Sequence, residues 1–223
     1  MVILHISDTH GRMSKPFREA SVVVHTGDLL PNKTRGDRYV EPGHQTEWLR
    51  SVMHELAKWV GTRPFLFMPG NHDFVDPCPG MRRAGIDAHN LHEEGPRSID
   101  GVTFGGVPFV PYFGGEWNYE VSEAEIDYHL SNLKSVDVLV THCPPLGVLD
   151  DANRGLGSRL GRSIGSKAIH AHVEQKQPRW HLCGHVHECG GSEVLLGKTR
   201  VVNSAGHAQV LTWKDGELSD RDH

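Results

Sequence analysis

The chain has 223 residues, 37% of them hydrophobic and 23% charged, and a formal net charge of -5. Those values describe an ordinary globular protein and exclude a fibrous or disordered one. No run approaches the roughly 18 uninterrupted apolar residues of a membrane span. The acidic balance argues against tight binding to duplex DNA, where phosphate neutralisation dominates affinity. The opening Met1-Val2-Ile3-Leu4-His5 lacks the basic and long apolar regions of a secretory signal, so a cytoplasmic location is expected. Four cysteines, Cys78, Cys143, Cys183 and Cys189, form no CxxC pair and suit reduced thiols. Histidine is the anomaly: there are 17, and imidazole is both the commonest metal ligand and a proton carrier near neutrality.

In chain order, Val2–Ile6 reads as a buried strand and runs into Asp8-Thr9-His10. Val22–His25 reads as a second strand, ending in Gly27-Asp28. A long loop, Leu30–Thr46, precedes Glu47–Val60, where Trp48, Leu49, Val52, Met53, Leu56, Trp59 and Val60 make a helical stripe. Phe65–Met68 is a third strand, leading to Gly70-Asn71-His72-Asp73. Arg97–Phe109 turns at Asp100-Gly101, a hairpin signal. Ser122 and Glu125 form a capping box that opens a helix over Ser122–Leu133. Val136–Val140 is a fourth strand, followed by Thr141-His142. A Gly- and Arg-rich loop, Pro144–Gly165, leads to a helix over Ser166–Gln177 that Pro178 closes. Trp180–Cys183 is a fifth strand, ending in Gly184-His185-Val186-His187. Ser192–Asn203 and Gln209–Leu218 read as further hairpins. Strands alternating with helices, plus terminal hairpins, predict two packed sheets covered by helices, a layered α/β arrangement in one domain over residues 1–223.

Each of the five strands thus ends in a His, Asp or Asn group, and the carboxyl ends of strands in an α/β sheet converge on one crevice. Singly, each such residue could be a cap or a buried hydrogen-bonding group. Together Asp8, His10, Asp28, Asn71, His142, His185 and His187 offer mixed nitrogen and oxygen donors, which suit manganese, iron, zinc, cobalt or nickel better than magnesium or calcium alone. They are too many for one ion and enough for two sharing a carboxylate. Two-metal sites stabilise the attacking and leaving oxygens of a displacement at phosphorus, so phosphoester hydrolysis is the expected chemistry.

These blocks, in this order, resemble the calcineurin-like metallophosphoesterase family. Within it, Ile6-Ser7-Asp8-Thr9-His10, His142-Cys143-Pro144-Pro145-Leu146-Gly147 and Gly184–Gly190 look most like a small branch of metallophosphoesterase-domain cyclic nucleotide phosphodiesterases. The resemblance implies a four-layer α/β/β/α sandwich of two mixed sheets. It implies that Asp8, His10 and His187 hold one divalent ion, manganese first, and that Asn71, His142 and His185 hold the other. Asp28 would bridge them, and a water between the ions would attack phosphorus. His72 would protonate the leaving oxygen, with Asp73 orienting its ring. The implied substrate is a small phosphodiester or nucleotide, such as a 2′,3′- or 3′,5′-cyclic nucleotide. A phosphomonoesterase, a nuclease and a non-catalytic metal-binding scaffold stay open, as does the oligomeric state.

The remaining candidates have plainer readings. His5 and His25 lie in apolar runs and are expected to be hydrogen-bonded core residues; His89, His92, His170, His172 and His181 are expected at the surface or on helices. Cys143 and Cys183 are expected to pack rather than ligate. Arg154, Arg159, Arg162 and Lys167 belong to a solvated loop or contact a substrate phosphate. Tyr112 and Trp117 either stack on a base or serve as core or rim aromatics.

Overall fold

The computed structural model describes residues 1–13, 17–152, 163–214 and 217–220. Its elements run in the order β1 (Val2–Ile6), β2 (Val22–His25), α1 (Glu41–Val60), β3 (Phe65–Phe67), α2 (Cys78–Arg83) and β4 (Ala88–Asn90). There follow β5 (Arg97–Ile99), β6 (Val102–Val107), β7 (Val110–Pro111), β8 (Glu120–Val121), α3 (Glu123–Ser131) and β9 (Val138–Thr141). The chain then forms α4 (Lys167–Lys176), β10 (Trp180–Cys183), a 3₁₀ turn at His187–Cys189, β11 (Ser192–Leu196), β12 (Thr199–Asn203), β13 (Ala208–Lys214) and β14 (Glu217–Asp220).

Two six-stranded sheets result, in the orders β14-β13-β1-β2-β3-β4 and β11-β12-β10-β9-β6-β5. Each is parallel at its centre and antiparallel toward its hairpins, so both are mixed. Alternate side chains of a strand point to opposite faces, and central parallel strands must be apolar on both. In β1, Leu4 and Ile6 join one core with Leu49, Leu56 and Trp59 of α1, whereas Ile3 joins a second. That second core lies between the sheets and unites Val24 and Leu66 with Phe104, Val140 and Leu182. A third packs Leu139 of β9 against Ile126 and Leu130 of α3 and Ile169 and Val173 of α4. Three cores separate four layers, the α/β/β/α order expected. Among the described residues, no helix is long and apolar enough to cross a membrane.

The structure extends or corrects several readings. Helix α1 starts at Glu41, six residues before its apolar stripe begins at Glu47 in the sequence reading. Pro42 sits in the first turn, where its missing N–H costs no hydrogen bond. Glu41 and Gln45 are buried and stand at helical spacing ahead of Leu49, so the buried face has a polar beginning. Short elements such as α2, β4, β7 and β8 carry too few residues for a periodicity signal. The caps of α3 and α4 follow the sequence: Ser122 accepts from the Glu125 N–H at 3.2 Å and Ser166 from the Ile169 N–H at 3.2 Å. His181 is a correction. It is fully buried in β10, where it was expected at the surface or on a helix.

Candidate metal centre

The loops after β1, β2, β3, β9 and β10 meet at one end of the sandwich. Asp8, His10, Asp28 and His185 all have left-handed backbones, with φ of 53°, 44°, 57° and 67°. Such conformations cost a non-glycine residue roughly 1–2 kcal/mol and persist where the surroundings enforce them. Here the first two loops enforce each other: the Asp8 N–H donates to Gly27 O at 2.9 Å and the His10 N–H to Asp28 O at 2.9 Å. Gly27, at φ 105°, leaves no room for a side chain, since a Cβ there would come within 2.5 Å of His142 Nδ1. At Gly184 a Cβ would collide with Ser7 Oγ and the Asp8 carboxylate. Gly27 and Gly184 are what let His142 and the Asp8 carboxylate crowd together.

The crowding has a definite donor pattern. Asp8, His10 and His187 present ligand atoms within 4.8 Å of one another, and so do Asp8, Asp28 and His142. Asp8 Oδ2 accepts from Ser7 Oγ at 2.5 Å and from the His185 N–H at 2.9 Å. Its other oxygen, Oδ1, is buried without a hydrogen bond; its neighbour is His187 Nε2 at 3.3 Å, whose pKa the Asp8 carboxylate raises. A buried carboxylate oxygen left bare is costly unless a cation completes it. His142 Nδ1 is 2.8 Å from Thr26 O, which can only accept, so Nδ1 carries the hydrogen. Its Nε2 therefore faces Asn71 Oδ1 at 3.0 Å and Asp28 Oδ2 at 3.4 Å. Burial disfavours the imidazolium of His142, but the Asp28 charge prevails and raises its pKa to about 9. Burial likewise opposes ionisation of Asp28, yet neighbouring imidazoles led by His142 hold it well below the usual carboxylate range. The field at this spot favours positive charge, whether proton or metal. His185, pushed down to about 4 chiefly by burial, stands with its ring 5.0 Å from that of His142. The chemistry of these donors fits a divalent cation: Asp8 and Asp28 each belong to two clusters of ligand atoms, with His10 and His187 or His142 beside them, and the His185 ring lies next to that of His142.

His72 shares a third such cluster with His10 and Asp28 and is gripped from several sides. Its N–H donates to Asp28 Oδ1 at 2.8 Å. Asn32 Nδ2 and Gln45 Nε2 donate to its carbonyl at 3.2 and 2.7 Å. That orientation leaves Asn32 Oδ1 2.7 Å from His72 Nδ1, so Nδ1 carries a hydrogen and Nε2 turns toward Asp28 and the cavity. Trp117 covers the ring at a centroid distance of 3.9 Å. Asp73, expected to orient the His72 ring, does something else. Its carboxylate accepts the N–H groups of Asp28, Leu30 and Gly70 at 2.8, 3.0 and 2.9 Å and so ties the second and third loops together. Burial, reinforced by the Asp28 charge, raises Asp73 to about 7. The orienting side chain is Asn32. Neither it nor Gln45 bears a motif; the one sequence signal for Gln45 is its spacing of four from Leu49 on α1.

His5 and His25 are buried and bonded, as read. His25 Nδ1 accepts from the Gly27 N–H at 3.2 Å, so Nε2 carries the hydrogen facing Thr9 Oγ1 at 3.1 Å, which links the first two ligand loops. Cys143 and Cys183 are buried free thiols packed against backbone carbonyls. Lys167 is exposed at the start of α4, and Arg154, Arg159 and Arg162 lie outside the described residues. Tyr112, Phe113 and Trp117 line a cavity of about 520 Å³ that also borders Asp28, Asn71 and His72.

Comparison with known proteins agrees with this geometry. The sequence profile of calcineurin-like phosphoesterases matches residues 1–189. UPF0046 protein K07C11.7 of Caenorhabditis elegans is 28% identical over 220 residues, covering 91% of this chain and 69% of that protein. Metallophosphoesterase domain-containing protein 1 of Homo sapiens is 24% identical over 233 residues, covering 90% and 64%. The chain therefore spans about two thirds of the length of these relatives. Among solved structures, TT1561 of Thermus thermophilus shares the fold with a TM-score of 0.63 at 15% identity, over 99% of this chain and 98% of that one. Phosphopantetheinyl hydrolase of Mycobacterium tuberculosis does so at 0.50 and 13%, over 92% and 89%. With the profile running from β1 through the His185-Val186-His187 turn, the chain belongs to the calcineurin-like phosphoesterase family.

Proposed function

We propose that the chain is a two-metal phosphodiesterase acting on small diesters, with 2′,3′- or 3′,5′-cyclic nucleotides foremost and manganese the foremost metal. The observation that carries the reading is the bare, buried Oδ1 of Asp8 set among His10 and His187, next to an Asp28 that reaches both donor groups. When bound, two divalent ions would supply Lewis-acid activation of water and neutralise charge on the phosphoryl oxygens. Asp8, His10 and His187 would hold one, and Asn71, His142 and His185 the other, with Asp28 shared. The Thr26 carbonyl holds the His142 ring in the tautomer that leaves Nε2 free for ligation.

His72 supplies the proton for the leaving oxygen from Nε2, because Asn32 occupies Nδ1 and fixes the ring plane. Trp117 and the Gln45 clasp on the His72 carbonyl keep that ring from swinging away. The diester preference is supported by the resemblance at His142–Gly147 and Gly184–Gly190, and by a cavity beside the cluster with room for a second ester group. Hydrolysis of bis-p-nitrophenyl phosphate and p-nitrophenyl phosphate, in Mn²⁺ and after chelation, tests the reading. Chelator-sensitive turnover favouring the diester is expected. Preference for the monoester would make it a phosphatase, and two bound ions with neither ester cleaved would leave a scaffold.

A further inference from the structure

The cavity over the donor cluster has a mixed lining. It combines the polar Asp28, Asn71 and His72 with the rings of Tyr112, Phe113 and Trp117, the last packed on His72. Tyr112 and Phe113 are 66% and 51% exposed, so they contribute little to any core. Rings left in water normally lie on loose loops, yet this loop is tightly bonded. The Glu120 carboxylate accepts the N–H groups of Phe113, Gly114, Gly115 and Trp117 at 3.1, 3.0, 2.7 and 3.0 Å. The Tyr112 N–H donates to Val121 O at 2.9 Å, and Arg38 Nη2 reaches the carbonyls of Gly115 and Trp117 at 3.4 Å each. Behind the loop, the Asn118 N–H donates to Asn71 O at 3.0 Å, and Asn118 Nδ2 to Asp73 O at 2.8 Å. The aromatic wall is thus braced directly to the segment that carries Asn71 and His72.

We propose that Tyr112 and Phe113 form a stacking platform for a planar ring carried by the phosphoester, a nucleobase or an aryl group. The proposal rests on the reading above, in which the phosphate itself seats at the metal cluster. A cavity of about 520 Å³ lies within the usual range for sites that take a drug-sized ligand. An aromatic face is sequence-tolerant toward bases, and stacking on one such ring changes affinity by roughly five- to a hundredfold.

Calorimetric titration of the manganese-loaded protein with adenosine monophosphate and with ribose 5-phosphate isolates the ring from the phosphate. Adenosine monophosphate should bind at least roughly tenfold more tightly. In Tyr112→Ala/Phe113→Ala that ratio should collapse, while ribose 5-phosphate binds as before and reports an intact fold and metal site. Tyr112→Leu/Phe113→Leu, which keeps apolar volume and removes the π faces, should also lower the ratio. Equal binding of the two ligands by the unaltered protein, or a ratio that survives in the alanine variant, would overturn the platform. If neither phosphate binds, the platform and the seating of phosphate at the cluster both fall; lost hydrolysis with the ratio intact counts against the catalytic reading alone.

Discussion

The first sheet delivers every carboxylate of the site, Asp8, Asp28 and Asp73, on the loops after β1, β2 and β3, whereas the second delivers imidazoles alone, His142, His185 and His187, after β9 and β10. The two contributions differ in how they are held. Carboxylates of the first sheet are tied by backbone N–H donors, three to Asp73 and one each to Asp8 and Asp28. The imidazoles are set through their ring nitrogens, His142 between the Thr26 carbonyl and Asn71 Oδ1 and His187 beside Asp8. Neither sheet alone holds a balanced site. A cluster of buried carboxylates would be unstable without cations, and the second sheet's histidines lower that cost only after the sheets dock across the core of Val24, Leu66, Phe104 and Val140.

Breaking the shared member should do most. Asp28→Ala removes the carboxylate that both donor groups use, so metal content measured by mass spectrometry should fall with turnover, the latter by roughly a thousandfold or more. Retention of two ions would refute the sharing.

His72→Ala is the contrasting case, because it removes an imidazole from the first sheet's contribution and leaves all seven proposed ligands in place. Both ions should stay. Turnover of an alkyl diester should drop roughly 10²–10⁴-fold, and that of an activated aryl diester far less. Equal slowing of the two would remove the proton-donor role. The pH profile adds a sign. Burial outweighs the Asp28 charge and holds His72 below its ordinary 6.5. The imidazolium is therefore lost as pH rises through a value under 6.5, and the alkyl-ester rate should fall along that limb.

A smaller effect belongs to Asn32, which acts through His72. Asn32→Ala should cost roughly tenfold in kcat, the worth of one hydrogen bond, with KM little changed. Asn32→Asp should restore the bond and move the limb to higher pH, since a carboxylate beside Nδ1 favours the imidazolium. A limb that stays put would reduce Asn32 to a packing residue.

A last effect, on stability and not on turnover, lies away from the site, in a histidine of the second sheet. Thr141 Oγ1 donates to Cys143 O at 2.6 Å and lies 2.7 Å from His181 Nε2, so Nε2 carries the hydrogen and the buried Nδ1 is left bare. Burial lowers His181 to about 3 against an ordinary 6.5. Between those values the unfolded chain binds the extra proton, so stability from this group is full above 6.5 and declines as pH falls toward 3. Denaturant titrations at several pH values should show His181→Leu with a stability slope shallower by up to about 1.4 kcal/mol per pH unit over that window. An unchanged slope would mean that other groups carry the acid limb.

Much of this was readable in the order of residues. Asp8, His10, Asp28, Asn71, His142, His185 and His187 each follow an apolar run, and a buried strand announces itself by such a run and by the polar residue that ends it. Asn32, Gln45 and Glu120 were not readable, because their work is done by hydrogen bonds to a distant imidazole or to backbone groups far away or across a loop, and no spacing encodes that. The role of Asp73 was misassigned for the same reason: adjacency to His72 in sequence placed its carboxylate beside the wrong partner, whereas three loop N–H groups claim it. His181 was misplaced because one polar residue in a four-residue strand does not reveal which face it occupies.

The sequence by itself determined the strands, their chemistry-bearing ends, the principal helices and the mixed donor set, since periodicity and strand termini are local properties of the chain. Tertiary structure alone decided which buried carboxylate oxygen lacks a hydrogen bond, which tautomer His142 and His72 adopt, and that exposed aromatic rings share a cavity with the donor cluster. Those outcomes depend on loops far apart in the chain meeting at hydrogen-bonding distance, which packing of the sheets and their cores brings about.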